Sequence, residues 1–513
     1  MRHARFMAAV RAASAAFGIA VAAVALAGIA APPLAGSTAA AATPRPGVTP
    51  RPLLQTLPQP TPYPEITLGP ANAPTSLPFP AYGSPVPGVG KGPAPVGIPQ
   101  IVTLAQAQEI AFARSPSLVS ARADEGIAHA AMRLAQTGYY PSITGSGTTT
   151  HTNHQGASSA QAAASGYGDS TSNSLSIGIR QLIFDGGKIA ASIRSASYSE
   201  TAYVDTYKRD LQTVAFNVAQ AYYNALLAER TTAVAVQTVK LDQVQEDLVR
   251  ANIRAGTEAP ADLATAQLPT AQARVALIKA QAAEYNAIAT FANALGLDAN
   301  INIEPYDDTP VNATGAVSTI PVPAYDQALV RAYALRPDLA ASLHDVQSGQ
   351  AALREAKLGL FPTLSGSATA QTASTNQQAG AYLNGNSIGL VLTVPLFDQG
   401  ITAADVLEAH ANLDKYNAAV EISRQSIQLS VKQALVNLVA ARSQLDEAQA
   451  EIQKANEVLR ATQAEYRAGV TTLPLLLNAQ VGITQALVDQ VSAVYSLRQA
   501  EQNYLYAVGA NTP

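Results

Sequence analysis

The chain contains no cysteine. Disulfides, thiolate metal sites, cysteine nucleophiles and a lipid on an N-terminal cysteine are thereby excluded. Tryptophan is absent too, so any aromatic belt at a membrane interface, where Trp and Tyr are favoured, must be built from other rings. Charge is scarce and nearly balanced, with a formal net charge of −4. That leaves no basic stripe of the kind that marks a nucleic-acid binder. No H-E-x-x-H or Rossmann fingerprint occurs, and six histidines without cysteine support leave few reactive candidates. His151 and His154 form an H-x-x-H, but without carboxylate or cysteine support this reads as a solvated loop. His129, His344 and His410 read as helix-surface residues. No enzyme, metal or cofactor is expected.

Long apolar runs are confined to the start. Arg2, His3, Arg5 and Arg11 precede an Ala/Val/Ile-rich run, and small residues continue to Ala40-Ala41-Ala42. Residues 1–42 thus read as a secretory signal peptide with an A-x-A cleavage site rather than an uncleaved anchor. Beyond it no stretch of about 18 apolar residues exists, so no further membrane helix is expected. Residues 43–100 hold more than half of the 32 prolines and read as an extended, partly polyproline tail unable to bury a core. Gly88-Val89-Gly90-Lys91-Gly92 lacks the spacing and the Ser/Thr of a phosphate loop.

What is present is an internal duplication. Ser115-Pro116-Ser117-Leu118 matches Arg336-Pro337-Asp338-Leu339, and Tyr140-Pro141 matches Phe361-Pro362, both 221 residues apart (337 − 116 and 362 − 141). Phe184-Asp185-Gly186-Gly187 matches Phe397-Asp398-Gln399-Gly400 with an offset of 213 (397 − 184). Arg254-Ala255-Gly256-Thr257 and Arg467-Ala468-Gly469-Val470 keep that offset (469 − 256), as do Leu295-Gly296 and Val508-Gly509. The organisation expected is a first repeat over 101–298, a linker over 299–323 and a second repeat over 324–510.

Each repeat changes period along its length. Ser174–Phe184 places Leu175, Ile177, Ile179 and Ile183 on one face, and Ser387–Phe397 does so with Ile388, Leu390, Leu392, Val394 and Leu396. Such alternation over about ten residues is what a transmembrane barrel strand requires. Ser142–Thr150 and Thr363–Ala370 are weaker partner strands, with polar loops at His151–Thr171 and Gln371–Asn386. Four strands cannot close a barrel, and an open edge in lipid strands its backbone polar groups, so a membrane sheet of this kind implies several copies. From Asp185 to Arg254, and again from Asp398 to Tyr466, apolar residues recur in steps of three and four without proline. These are coiled-coil helices of about 100 Å.

These anchors, in order and twice over, resemble the TolC-like outer-membrane efflux protein family from about Ile101 to Gly509. The resemblance implies a mainly α fold with a membrane β-barrel part. Long antiparallel coiled-coil helices form a periplasmic α-barrel, and each protomer of a homotrimer gives four strands to a shared twelve-stranded barrel. Pro141 and Pro362 then mark the helix-to-strand turns, where a helix cannot continue. It implies a channel in the outer membrane, extending into the periplasm, that exports substrates from an inner-membrane transporter through a periplasmic adaptor protein. The tips Arg254, Ala255, Gly256, Thr257 and Arg467, Ala468, Gly469, Val470 correspond to the adaptor contact. The periplasmic gate corresponds to Asp262, Tyr466, Thr471, Leu475 and Asn478, with a Tyr466–Asp262 hydrogen bond as tether. Leu475 and Asn478 stand where some relatives place aspartates. Leu473, Leu475, Leu476 and Leu477 then suit either a hydrophobic constriction or, for most of them, helix packing. The same fold also serves as the exit duct of type I protein secretion, and a non-transport envelope coiled coil is the reading from a different class.

Overall fold

The computed structural model describes residues 100–152, 170–301, 303–306, 321–375 and 382–511. The expected signal peptide, the proline-rich tail up to Pro99, His154, and parts of the two outer loops and of the linker lie outside the described residues.

The duplication is visible in element lengths. In the first repeat α1 spans Leu104–Arg114, α2 Pro116–Gln136, β2 Ser142–Thr152, β3 Ser170–Phe184, α3 Lys188–Arg254 and α4 Pro260–Ala294. In the second, α5 spans Tyr325–Leu335, α6 Pro337–Lys357, β5 Thr363–Thr375, β6 Tyr382–Thr393, α7 Ile401–Arg467 and α8 Leu473–Val508. Helices α3 and α7 are each 67 residues long, α2 and α6 each 21. At 1.5 Å per residue the long pair runs for about 100 Å. Two short strands, β1 (Ile101–Val102) and β4 (Glu304–Pro305), pair in parallel and tie the start of the first repeat to the linker.

Local chemistry sets the boundaries. Thr103 and Gln106 form a reciprocal capping box at the head of α1, with Thr103 N donating to Gln106 Oε1 at 3.1 Å. Pro116 and Pro337 occupy first-turn positions where a missing N–H costs nothing. Pro141 directly precedes β2 and Pro362 directly precedes β5. At each sheet-to-helix corner an aspartate caps the long helix. Asp185 accepts from Gly187 N at 2.9 Å, and Asp398 accepts from Gly400 N at 3.1 Å and Thr402 N at 2.8 Å.

The four longer strands form one antiparallel sheet in the order β2-β3-β5-β6. The pairing β3–β5 joins the two repeats, with Ile179 opposite Ala368. The strands run further outward than the alternation alone suggests: β3 begins at Ser170 and β5 reaches Thr375. At the other end β6 stops at Thr393 rather than Phe397, two residues before Pro395, which has no N–H to give a ladder. A second departure is a bulge between Leu182 and Phe184. It inserts Ile183 as an extra residue and brings Phe184, opposite Leu364, onto the face that carries Ile177 and Ile179.

The helices bury two clusters. One combines α5, α7 and α8 around Ile427, Val431, Leu438 and Leu497. The other combines α1, α3 and α4 around Val218, Leu226 and Phe291, and takes in Val491 and Tyr495 from α8. The second repeat therefore contributes to the core of the first.

Candidate functional site

The two helix–turn–helix tips end in the same way. Ala255 caps α3, Gly256 has φ of +78°, Gly256 N donates to Ile253 O at 3.0 Å, and Thr257 N donates to Asn252 O at 3.0 Å. On α7, Gly469 has φ of +72°, with Gly469 N to Tyr466 O at 3.0 Å and Val470 N to Glu465 O at 2.9 Å. Both are Schellman endings, which need a residue in the left-handed region and so favour glycine. A Cβ at either glycine meets nothing within 4 Å. The glycines therefore serve the backbone conformation and are not crowded by the rest of the protomer. Arg254, Ala255, Gly256 and Thr257, and Arg467, Ala468, Gly469 and Val470, are all exposed; Val470 is 78% exposed.

Behind the tips the four long helices meet. Val249 of α3, Ala266 of α4 and Leu473 and Leu477 of α8 form a small buried cluster, flanked by Ile253 and by Tyr466 of α7. The tether expected between Tyr466 and Asp262 goes elsewhere. Tyr466 donates its hydroxyl to Glu258 Oε1, and Asn252 Nδ2 donates to the same oxygen at 3.2 Å. Asp262 is taken up by its own helix start, accepting from Ala259 N at 3.3 Å in the first turn of α4. Ala259 offers no side-chain acceptor, so Asp262 supplies the only side-chain half of that cap. Burial first, and then the neighbouring Glu258 carboxylate, raise the Tyr466 phenol above its ordinary value, so it stays a donor.

Glu258 and Asn252 were not legible as site residues. A signal existed in the comparison of repeats, because Glu258 has Thr471 as counterpart and Tyr466 has Ile253, so the clasp has no equivalent in the other tip. Among the four leucines, Leu473, Leu476 and Leu477 are buried, whereas Leu475 is 52% exposed. Asn478 is exposed one turn further along α8, and Thr471 is half-buried in the turn. Packing accounts for three of the four. The exposed pair Leu475 and Asn478 carries no charge.

Above the clasp, Gln480 of α8 donates to Gln245 of α3 at 3.5 Å, and Gln245 Nε2 and Gln480 Oε1 are buried without a partner. Burial pushes the nearby Asp242 carboxyl on α3 up to about 6. Of the helix histidines, His129 bonds Glu200 at 2.6 Å and His344 lies 3.5 Å from Asp205, while His410 is exposed on α7. No cluster of three or more potential ligands occurs among the described residues.

A sheet of membrane-strand alternation continuous with paired 67-residue helices defines a channel protein that joins a membrane to a long helical conduit. The family profile described as outer membrane efflux protein matches residues 108–297 and 328–510. The chain belongs to the outer membrane efflux protein family, a family of transport channels of the outer membrane. It is 25% identical over 408 residues to the outer membrane efflux protein BepC of Brucella suis, covering 78% of this chain and 85% of that protein. It is likewise 25% identical over 431 residues to protein CyaE of Bordetella pertussis, covering 80% and 84%. Among solved structures, the Campylobacter jejuni CmeC outer membrane channel shares the fold with a TM-score of 0.70 at 17% identity, over 80% of this chain and 86% of that one.

Proposed function

We propose that three copies close their sheets into one twelve-stranded barrel and conduct exported substrates out of the periplasm, without chemistry of their own. An inner-membrane transporter would supply the substrate through a periplasmic adaptor. The observation that supports this is the sheet. Strands β2 and β6 are its two edges, and Ile143, Ile388, Leu390 and Leu392 lie exposed on one face. In hydrocarbon, two open edges leave rows of amides and carbonyls without partners, and further copies supply those partners. An efflux role is favoured over protein secretion by the likeness to BepC over most of both chains.

The exposed tips Arg254 to Thr257 and Arg467 to Val470 are the adaptor contact in this reading. Tyr466, Glu258 and Asn252 form the clasp that holds the return helices closed, with Leu475 and Asn478 facing the passage and Asp262 capping α4. Replacing Gly256 and Gly469 by valine costs about 1–3 kcal/mol each in backbone strain, and the added Cβ meets no neighbour in the protomer. The double variant is expected to keep trimer mass and single-channel conductance in planar bilayers while losing adaptor binding and export. Unimpaired export would remove the tip assignment, and a purified protein without conductance would remove the channel reading.

A further inference from the structure

The four longer strands carry almost no charge. Arg180 on β3 is the one Asp, Glu, Lys or Arg among them, and His151 on β2 the one histidine. The residues joining β2 to β3 add a single aspartate, Asp169, before the far end of β3, and those joining β5 to β6 add no charge.

The register places Arg180 on the polar face. Directly opposed residues share a face of a sheet. The apolar face runs through Ile143, Ile179, Ala368 and Ile388, opposed in turn across the four strands. One residue along is the row Ser142, Arg180, Ser367 and Gly389, which stands on the other face. In a barrel whose apolar face meets lipid, that second face lines the passage. Nothing covers the guanidinium from outside, because Gly178 is the next residue of β3 on this face, between Thr144 and Thr369. Arg180 is exposed, and no carboxylate pairs with it among the described residues. The corner aspartates Asp185 and Asp398 are engaged by the first amides of α3 and α7, whose positive ends offset them. At the tips, Leu475 and Asn478 bring no carboxylate that would oppose a cationic ring.

We infer that Arg180, flanked by the Ser142 and Ser367 hydroxyls, is an anion-recognition ring at the inner mouth of the barrel, biasing passage towards solutes that bear carboxylate or phosphate groups. The inference rests on the shared-barrel reading and goes beyond it by naming what the passage prefers. Three copies put three guanidinia at one level, beside the first residue of β2. The second repeat has Thr393 in the matching place, so the ring is not doubled. A guanidinium offers planar, paired N–H donors that match an oxyanion, and each neighbouring hydroxyl has a further donor to give. Rings of Arg or Lys are how anion pores select. The field of such a ring reaches about 30 Å in 0.01 M salt and about 3 Å in 1 M.

The test is the chloride-to-potassium permeability ratio, read from the reversal potential of the purified channel in planar bilayers between about 0.01 M and 0.1 M KCl. Arg180→Gln is expected to lower the ratio several-fold, Arg180→Glu to lower it further and Arg180→Lys to keep most of it. In about 1 M KCl the variants should converge, which a merely structural role for Arg180 would not produce. Citrate added on the periplasmic side should reduce the wild-type current more than that of Arg180→Gln. Thr393→Arg copies the charge into the second repeat and should raise the ratio, so the test stands even where the Arg180 variants assemble poorly. Conducting trimers whose ratio is moved neither by Arg180→Glu nor by Thr393→Arg would overturn the ring and leave the duct reading standing. A wild-type protein that is monomeric by mass and does not conduct would overturn both.

Discussion

Arg336 opens α6 almost fully buried, while the residue in the same place at the start of α2 is Ser115. The arginine donates to Asp338 at 2.5 and 3.0 Å, to Ser430 Oγ at 2.9 Å and to Ala507 O at 3.3 Å. Arg209 of α3 joins from the side, lying 3.9 Å over the Tyr506 ring and donating to Tyr506 O at 3.2 Å. Gln212 and Asn511 complete the knot through Gly509 O and Gln212 O. In the first repeat, Ser115 and Ser117 only meet each other, at 2.8 Å. Both repeats bring their final glycine close to the preceding helix end, since a Cβ at Gly296 would lie 2.8 Å from Arg114 O and one at Gly509 3.0 Å from Leu335 O. The close approach is thus common to the two, and the charged knot is added where the chain's end returns against both repeats. Duplication copied the frame, and the side chains then diverged according to whether a surface meets its own chain.

That contrast can be broken at its strongest point. Arg336→Ala leaves Asp338 with its main partner gone beside a buried Arg209, and is expected to cost about 3–5 kcal/mol. Ser115→Ala should cost under about 1 kcal/mol. Thermal unfolding of the two detergent-solubilised variants checks this, and equal losses would mean the knot is no more than a cap. The next largest effect lies at the barrel corner. A Cβ at Gly186 would sit 2.8 Å from the Phe361 side chain, at a φ of +71°. Gly186→Ala should therefore cost about 3 kcal/mol from overpacking and strain together. Its counterpart Gln399 already holds a side chain at φ of +60°, so Gln399→Gly should gain stability by up to about 1 kcal/mol. The opposite signs are the test.

The smallest effect concerns Asp242, whose counterpart is Ala455. An unfolded carboxyl loses its proton near pH 4, and in the folded protein burial delays this to about 6. The native state thus holds the extra proton between those values. Stability falls as pH rises from about 4 to 6 and stays lower above. Asp242→Ala, copying the second repeat, should raise stability by about 2 kcal/mol at pH 8 and by much less at pH 4. An effect independent of pH would show that the carboxylate finds a partner on assembly.

Much of this architecture was legible because its signals are local. The period of the apolar residues separated strand from helix, and Gly256 and Gly469 marked where two 67-residue helices end. The tip clasp was only half legible. Tyr466 was marked by the family resemblance alone, and its acceptor is Glu258 rather than Asp262. Three residues separate those two carboxylates, and an N-terminal helix turn claims whichever side chain can reach back to its free amide. Asp262 meets that demand, which leaves Glu258 for the tyrosine.

The sequence by itself determined the duplication, the span of the long helices, the alternation of the strands short of the bulge, and the absence of any thiol. Each follows from residue type and spacing along one segment. The tertiary structure alone decided the strand order, the bulge at Ile183, the burial of three leucines but not Leu475, and the partner of Tyr466. These depend on how helices rotate about their axes and how strands slide against one another. Periodicity along a single segment leaves those rotations and shifts free until the segments pack.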